Sequence, residues 1–177
     1  MLQSLMQIMT EINHWINQLL NKKINIAPLV LFRIIFGVMM FASTLRFILK
    51  GWVKEFYIDP NYYFTYYGFD WVTPFKENGM YILFGLLLCC TLFITFGLFY
   101  RISISIYFLL FTYVELIDKT YYLNHYYFIS LLSFILIFLP LHRNFSLDAF
   151  IGICKKTSHV KSWTTNVIKL QIGIVYF

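Results

Sequence analysis

The sequence predicts an all-α, polytopic transmembrane helical bundle with an N-terminal amphipathic helix and an aromatic-rich outer loop. Three observations carry that prediction. Of 177 residues, 60% are hydrophobic and only 12% charged, against about 45–50% apolar and about 25% charged in a soluble domain. A soluble chain of this length could not bury so much apolar surface, because small domains keep a large share of their surface exposed. A water-soluble enzyme domain is thereby excluded, and so is a disordered chain. Second, the apolar residues gather in runs close to the ~20 residues of helix that cross the hydrocarbon core. Third, the runs do not alternate apolar with polar, which excludes a membrane barrel and leaves helices to satisfy the backbone in lipid.

The elements follow in order. In residues 1–26, Leu2, Leu5, Met9, Ile12, Ile16 and Leu19 recur at three- and four-residue steps, the pattern of an amphipathic helix. It would lie in the interface or pack on the cytoplasmic face. No continuous apolar core or small-residue cleavage site marks it as a signal peptide. Residues 27–177 read as the transmembrane domain. Ala27 to Leu49 is the first span, interrupted only by Arg33 and Arg46. Met80 to Tyr100 is the second, and Ile102 to Ile117 the third, with Glu115 near its end. Thr120 to Leu141 is the fourth, with Asn124 and His125 about one turn inside it. A fifth starts around Val167 and is still apolar at Phe177, so the sequence reads as four spans and a truncated fifth.

Charge sets the orientation. With a cytoplasmic N-terminus, that side holds Lys22, Lys23, Arg101, Arg143, Lys155, Lys156 and Lys161, and the opposite side holds Lys50, Lys54, Lys76 and Lys119. The excess favours this orientation under the positive-inside rule. The net charge of +6 thus reports topology. Nucleic-acid binding would need basic residues clustered on one soluble face, and here they are scattered between apolar runs. Cys89, Cys90 and Cys154 have neither zinc-site nor redox-pair spacing, so no metal is expected.

Chemistry has few places to sit. The loop from Gly51 to Gly79 carries Trp52, Phe56, Tyr57, Tyr62, Tyr63, Phe64, Tyr66, Tyr67, Phe69, Trp71 and Phe75. Trp and Tyr favour the headgroup level, which suits a segment lying on the bilayer. A partly re-entrant lid over a flat, lipid-soluble ring is the sharper reading, since aromatic pockets suit such ligands. Arg33 and Arg46 are 13 positions apart, a rotation of about 220° that puts them on different faces. Both can snorkel to an interface, although a basic group in a span is a functional candidate by default. The turn from Glu115 to Tyr127 gathers the most polar groups. Glu115 and Lys119 have the spacing of a helical ion pair, and Asp118 with Thr120 suits a turn and cap. Asn124 and His125 escape that structural account. An unpaired polar group inside a span costs several kcal/mol, and a histidine there can donate, accept or shuttle a proton.

At these residues the chain resembles the vitamin K-dependent gamma-carboxylase and the wider group that carries the same horizontally transferred transmembrane (HTTM) domain. The resemblance runs through Leu31-Phe32-Arg33-Ile34-Ile35-Phe36-Gly37, Phe64-Thr65-Tyr66-Tyr67-Gly68-Phe69-Asp70-Trp71 and Gly97-Leu98-Phe99-Tyr100-Arg101. Its most specific block is Leu116-Ile117-Asp118-Lys119-Thr120 followed by Asn124-His125-Tyr126-Tyr127. Phe138-Leu139-Pro140-Leu141-His142-Arg143, Phe145-Ser146-Leu147-Asp148 and Gln171-Ile172-Gly173-Ile174-Val175-Tyr176-Phe177 complete it. Leu123 stands where the family usually has a second asparagine, and the family's catalytic lysine follows the last motif by a few residues. Lys169 precedes that motif and is no substitute.

The resemblance implies oxidation of reduced vitamin K, or a related quinol, by dioxygen to an epoxide. That oxidation is coupled to addition of carbon dioxide to peptidyl glutamate. It implies His125 and Asn124 as catalytic residues, with Asp118, Lys119, Thr120 and Arg33 shaping the site. The implied partners are the lipid bilayer and a glutamate-containing peptide or protein. The alternative is a non-carboxylating HTTM protein that matures or exports a secreted peptide. A transporter is disfavoured, because no inverted repeat or broken-helix pair appears.

Overall fold

The computed structural model describes residues 20–176 together with Met6, Gln7, Met9, Glu11 and Asn17, the side chains of Glu77 and Tyr176 excepted. Leu2, Leu5, Ile12, Ile16 and Leu19, which carry the amphipathic reading of the N-terminus, lie outside the described residues. The first elements are strand β1 (Lys23–Asn25) and helix α1 (Ala27–Leu49). Short helix α2 (Trp52–Tyr57) follows, then α3 (Glu77–Phe96) and α4 (Tyr100–Ile117). A 3-10 turn (Lys119–Tyr121) leads into α5 (Asn124–Phe138) and short α6 (Leu147–Ile151). Strand β2 (His159–Lys161) and helix α7 (Trp163–Tyr176) complete the order.

Helices α1, α3 and α4 are long and apolar enough to cross a membrane, so this is a membrane protein built as a helical bundle. Helix α1 coincides with the predicted first span. The Asn25 side-chain carbonyl accepts from the Ala27 N–H at 2.8 Å, and Pro28 stands at a first-turn position that needs no donor. Many large apolar side chains on the helices face outward, among them Leu31, Ile35, Met39, Ile82, Leu86, Ile102 and Leu109. In a soluble protein this would be a liability; in lipid it is the expected exterior. Inside, α1 and α3 approach closely. A Cβ on Gly37 would stand 2.9 Å from the Thr95 backbone nitrogen, the small-residue contact by which membrane helices pack.

Other boundaries differ from the sequence reading. The second apolar run does not continue to Tyr100: α3 stops at Phe96, and Gly97 (φ 65°) caps it in the left-handed conformation. The fourth run is helical only over Asn124–Phe138, about 22 Å at 1.5 Å per residue. Helix α7 starts at Trp163, four residues before the predicted Val167. The sequence analysis also missed a two-stranded antiparallel ribbon, in which Lys23 pairs with Lys161 and Asn25 with His159. The ribbon ties the start of α1 to the start of α7, so Lys22, Lys23, Lys155, Lys156 and Lys161 lie at one end of the bundle. Arg101 and Arg143 join them there, because the Asp148 N–H donates to the Gly97 carbonyl at 3.1 Å.

This basic end is held by buried polar groups. Arg33 is 1% exposed. It does not snorkel. One terminal nitrogen donates to the Leu141 carbonyl at 2.9 Å and the other to the Phe145 carbonyl. Asp148 accepts from the Phe99 N–H at 2.7 Å and from the Tyr100 N–H at 3.0 Å. The Tyr100 hydroxyl donates to Leu136 O at 3.1 Å, and its ring stacks on His142. Ser146 caps α6, accepting from the Ala149 N–H at 3.1 Å, and its hydroxyl donates to the His142 carbonyl. Arg46, by contrast, is exposed at the far end of α1, its guanidinium 5.6 Å from the Trp52 ring.

Two predictions concern this knot. Asp148→Ala leaves two backbone donors without their acceptor, and each such loss costs about 1–3 kcal/mol. Thermal unfolding in nanodiscs should therefore show a clear fall in melting temperature, with Asp148→Asn falling less. His142 is held below the usual histidine value of 6.5 by burial, and then by Arg101. The folded state thus binds fewer protons than the unfolded one, and stability is lost as pH falls below about 6.5. The drop in melting temperature between pH 7.5 and pH 5.5 should shrink in His142→Gln; an unchanged drop would contradict the assignment.

Candidate functional site

The opposite, aromatic end is built differently. Helix α4 stops at Ile117 because Asp118 turns extended (φ −144°, ψ 118°). Its carboxylate then accepts from both the Thr120 N–H and the Thr120 hydroxyl, each at 2.8 Å. This is the turn and cap expected from the sequence. The Lys119 N–H donates to the Phe64 carbonyl at 2.8 Å, fastening the aromatic loop to the turn. Further ties are the Tyr113 hydroxyl on the Thr73 carbonyl at 2.6 Å and stacked pairs Phe56–Tyr121 and Phe75–Tyr113. Tyr62, Tyr67 and Trp71 remain largely exposed. Part of the loop thus covers the bundle while part faces outward.

Beneath this cover lies a cavity of about 70 Å³. Phe47, Phe84 and Phe111 supply aromatic faces, with Tyr57, Tyr121, Tyr122 and Tyr126 around them. Its acids are Glu115 and Asp118. Burial raises the Tyr57 phenol well above its usual value, with Tyr126 and the two acids adding to the effect. Tyr57 therefore stays a neutral hydroxyl. Burial likewise raises Tyr66 beside the cavity.

Glu115 is the residue that sequence reasoning undervalued. The expected ion pair with Lys119 does not form. Instead Glu115 Oε2 accepts from the Ser130 hydroxyl of α5 at 2.8 Å, and Oε1 is buried with no hydrogen-bond partner among the described residues. The Thr112 hydroxyl approaches Ser130 at 3.4 Å. The rule that made Arg33 a candidate, an ionisable group inside a span, applies equally to Glu115. A partner 15 residues away on another helix gave no local signal.

The predicted site residues separate into three groups. Asp118, Lys119 and Thr120 form the turn at the rim of the cavity, and Asp118 lines it. Asn124 and His125 are the first two residues of α5, not a turn inside a span, and both are exposed. The His125 ring meets Tyr126 edge to face at 4.5 Å, and Tyr126 lines the cavity. Arg33 belongs to the other end. It stands eleven residues before Thr44, a cavity-lining residue, or about 16 Å along α1. Among the described residues no group of three or more His, Cys, Asp or Glu could hold a metal ion.

The family model described as HTTM domain matches residues 21–177. No solved structure matches the chain.

The turn makes a local prediction. Asp118→Ala removes a capping interaction of about 1 kcal/mol, so backbone hydrogen exchange over residues 118–123 should quicken while the global melting temperature moves little. Asp118→Asn, which retains an acceptor oxygen, should recover most of the protection.

Proposed function

The chain belongs to the HTTM-domain family, and from that premise we propose a membrane protein of the vitamin K-dependent gamma-carboxylase type. Its reaction would couple oxidation of a quinol to carboxylation of peptidyl glutamate. One observation carries this reading. The block that bears the most specific resemblance, Leu116 to Thr120 with Asn124 to Tyr127, folds around the aromatic cavity. Asp118 and Tyr126 stand in its wall. The charge distribution adds an orientation to the proposal. The basic end faces the cytoplasm and the aromatic end faces outward, following the positive-inside rule.

The residues fit a quinol in kind. Phe47, Phe84 and Phe111 suit a flat ring, and Glu115 Oε1 is an acceptor with no donor among the described residues. When bound, the quinol would supply the reducing power that drives removal of an unreactive glutamate γ-proton. The chain's own contribution is the setting. Aromatic walls exclude water, which protects a strong base from quenching, and Asp118 with Thr120 holds the rim in place. His125 would orient the reacting groups from the start of α5, with Asn124 beside it. The reading also calls for an amine base kept neutral by desolvation, which the resemblance places after Phe177.

A second reading, a family member that matures or exports a secreted peptide without carboxylation, draws on a different observation. Asn124 and His125 do not line the cavity.

The discriminating assay takes the whole gene product in membranes. It follows conversion of reduced vitamin K to its epoxide and incorporation of labelled carbon dioxide into a glutamate-containing peptide. Both activities should be present in the wild type and fall by about 100-fold or more in His125→Ala, the scale of a lost proton-transfer group. Epoxide without carboxylation, or neither, would favour the second reading. Full activity in His125→Ala would remove His125 from the site.

A further inference from the structure

The basic end of the bundle gathers like charge. On the β1–β2 ribbon, Ile24 and Val160 pack on the core, which leaves Lys23, Asn25, His159 and Lys161 exposed on the outer face. Lys23 and Lys161 stand directly opposite each other, and like charges so placed destabilise a ribbon. Lys22 adjoins them. Two backbone bonds draw Arg143, Lys155 and Lys156 to the same place. The Thr157 N–H donates to the Arg143 carbonyl at 3.1 Å, and the Ile26 N–H to the Ser158 carbonyl at 3.0 Å. With Arg101 these are seven exposed cations. Of the eight acids, the six from Glu55 to Asp118 belong to the aromatic end. Asp148 is buried and committed to the Phe99 and Tyr100 N–H groups. That leaves Glu11, in the N-terminal segment ahead of the ribbon.

The same connection exposes large apolar side chains. Phe145 is 84% exposed and Phe150 87%, and Ile151 and Ile153 are exposed as well. They belong to no span, since α5 ends at Phe138 and α7 starts at Trp163. Their direction follows from the anchoring of α6. Asp148 faces inward, so Phe150 and Ile151, two and three positions on, turn outward on a helix of five residues. Gly152 (φ 86°) then ends it. Their depth follows from the Asp148 N–H bond to the Gly97 carbonyl, which holds α6 where α3 stops and α4 starts. That is the edge of two spans, the level of the headgroups. A cluster of apolar side chains held outward marks a binding surface, and at this level the surface meets lipid.

We propose that the connection from Arg143 to Lys161, together with β1, is an interfacial foot that binds acidic phospholipids of the leaflet at the basic end. Phe145, Phe150, Ile151 and Ile153 enter the boundary between headgroups and acyl chains. Arg143, Lys155, Lys156 and the ribbon lysines hold the phosphates, which supply the counter-charge that the Lys23–Lys161 pair lacks. The occupant follows from the combination. A nucleic acid or a soluble acidic peptide would answer the cations and leave the apolar side chains uncovered. A zwitterionic lipid would cover the apolar side chains and bring no net charge. Clusters of about four to eight basic residues beside a span are the pattern of acidic-lipid recognition. Helices α1 and α7 both start beside the ribbon, so the positive ends of their dipoles add to the field. The proposal is independent of the reaction proposed above and of the side of the membrane that this end faces.

The test uses the chain in nanodiscs with spin-labelled phosphatidylglycerol and phosphatidylcholine as probes, and reads the motionally restricted fraction of each. The wild type should prefer phosphatidylglycerol by about fivefold, the scale of one basic residue at an acidic membrane surface. The preference should fall as salt rises, because exposed charges are screened. Arg143→Gln, Lys155→Gln and Lys156→Gln together should remove most of it, and Lys23→Gln with Lys161→Gln should lower it. Lys54→Gln with Lys76→Gln, at the aromatic end beside Glu55 and Glu77, should leave it in place. Melting temperature is the second readout. The wild type should melt higher in phosphatidylglycerol than in phosphatidylcholine. Lys23→Gln with Lys161→Gln should melt above the wild type in phosphatidylcholine, where the repulsion is unrelieved, and should lose much of the gain from the acidic lipid.

Depth is read from a nitroxide on Phe150→Cys, in a Cys89→Ser, Cys154→Ser background that leaves the buried Cys90 in place. Oxygen, which concentrates among acyl chains, should relax this label more than an aqueous nickel complex does. Equal restriction of the two lipids by the wild type would overturn the proposal, as would a preference that survives both sets of glutamine substitutions. A label reached better by the nickel complex would also overturn it, and would assign the apolar patch to a soluble protein partner.

Discussion

The bundle depends on one constraint, the burial of the Arg33 charge. An unpaired cation inside a membrane bundle is costly by several kcal/mol, so the chain must bring acceptors to it. It does so with the segment between α5 and α6, whose Leu141 and Phe145 carbonyls take both terminal nitrogens. That requirement fixes much else. Phe145 adopts a left-handed φ of 44° where its carbonyl meets the guanidinium, and Phe99 adopts 42° where its N–H meets Asp148. These are the two non-glycine residues with positive φ among the described residues. Such strain persists where surroundings over-determine it, and here the two buried charges do so. Gly97 completes the fit: a Cβ there would stand 2.6 Å from an Arg33 terminal nitrogen.

The two ends of the bundle therefore differ in kind. At the basic end, Arg33 and Asp148 lock the joints between α1, α3, α4 and α6 through hydrogen bonds to backbone groups. At the aromatic end the turn is well bonded through Asp118, yet the carboxylate next to it is half satisfied. Among the described residues, buried polar atoms without a hydrogen-bond partner stand at both ends, Arg33 Nε and His142 Nδ1 at one and Glu115 Oε1 at the other. The ends thus differ in how their helices are cross-linked and not in how completely their polar atoms are paired.

How much of this could be read in the sequence follows from range. The first span was legible to the residue, because an apolar run bounded by Pro28 and Lys50 has one reading as a helix. The Asp118–Thr120 turn was legible too, since its bonds connect residues two apart. The break at Gly97 was not, because the apolar run continues through it and only the need to reach Arg33 and Asp148 gives glycine a special role there. The β1–β2 ribbon pairs residues more than 130 positions apart. The Glu115–Ser130 bond was hidden by a closer candidate, Lys119, four residues on. Local spacing named a plausible partner, but Lys119 sits past the end of α4, in a turn whose own N–H is committed to Phe64. The helix had already stopped.

The departure at Leu123 also gains a structural meaning. Leu123 occupies the N-cap of α5, in an extended conformation (φ −127°, ψ 133°) and without a side-chain cap. Asparagine is among the strongest N-cap residues, accepting from a first-turn N–H, and an apolar residue there gives up about 1 kcal/mol. An asparagine at 123 would therefore fix the start of α5, and with it the side chains of Asn124 and His125. With leucine, the first turn is anchored by the Tyr126 and Tyr127 N–H groups on the Leu123 carbonyl, at 2.8 and 3.4 Å, and by the His125–Tyr126 ring contact. Leu123 thus leaves the start of α5, where His125 adjoins Tyr126 of the cavity wall, without a side-chain cap. A side chain absent from the site can act on it through the backbone that carries its neighbours.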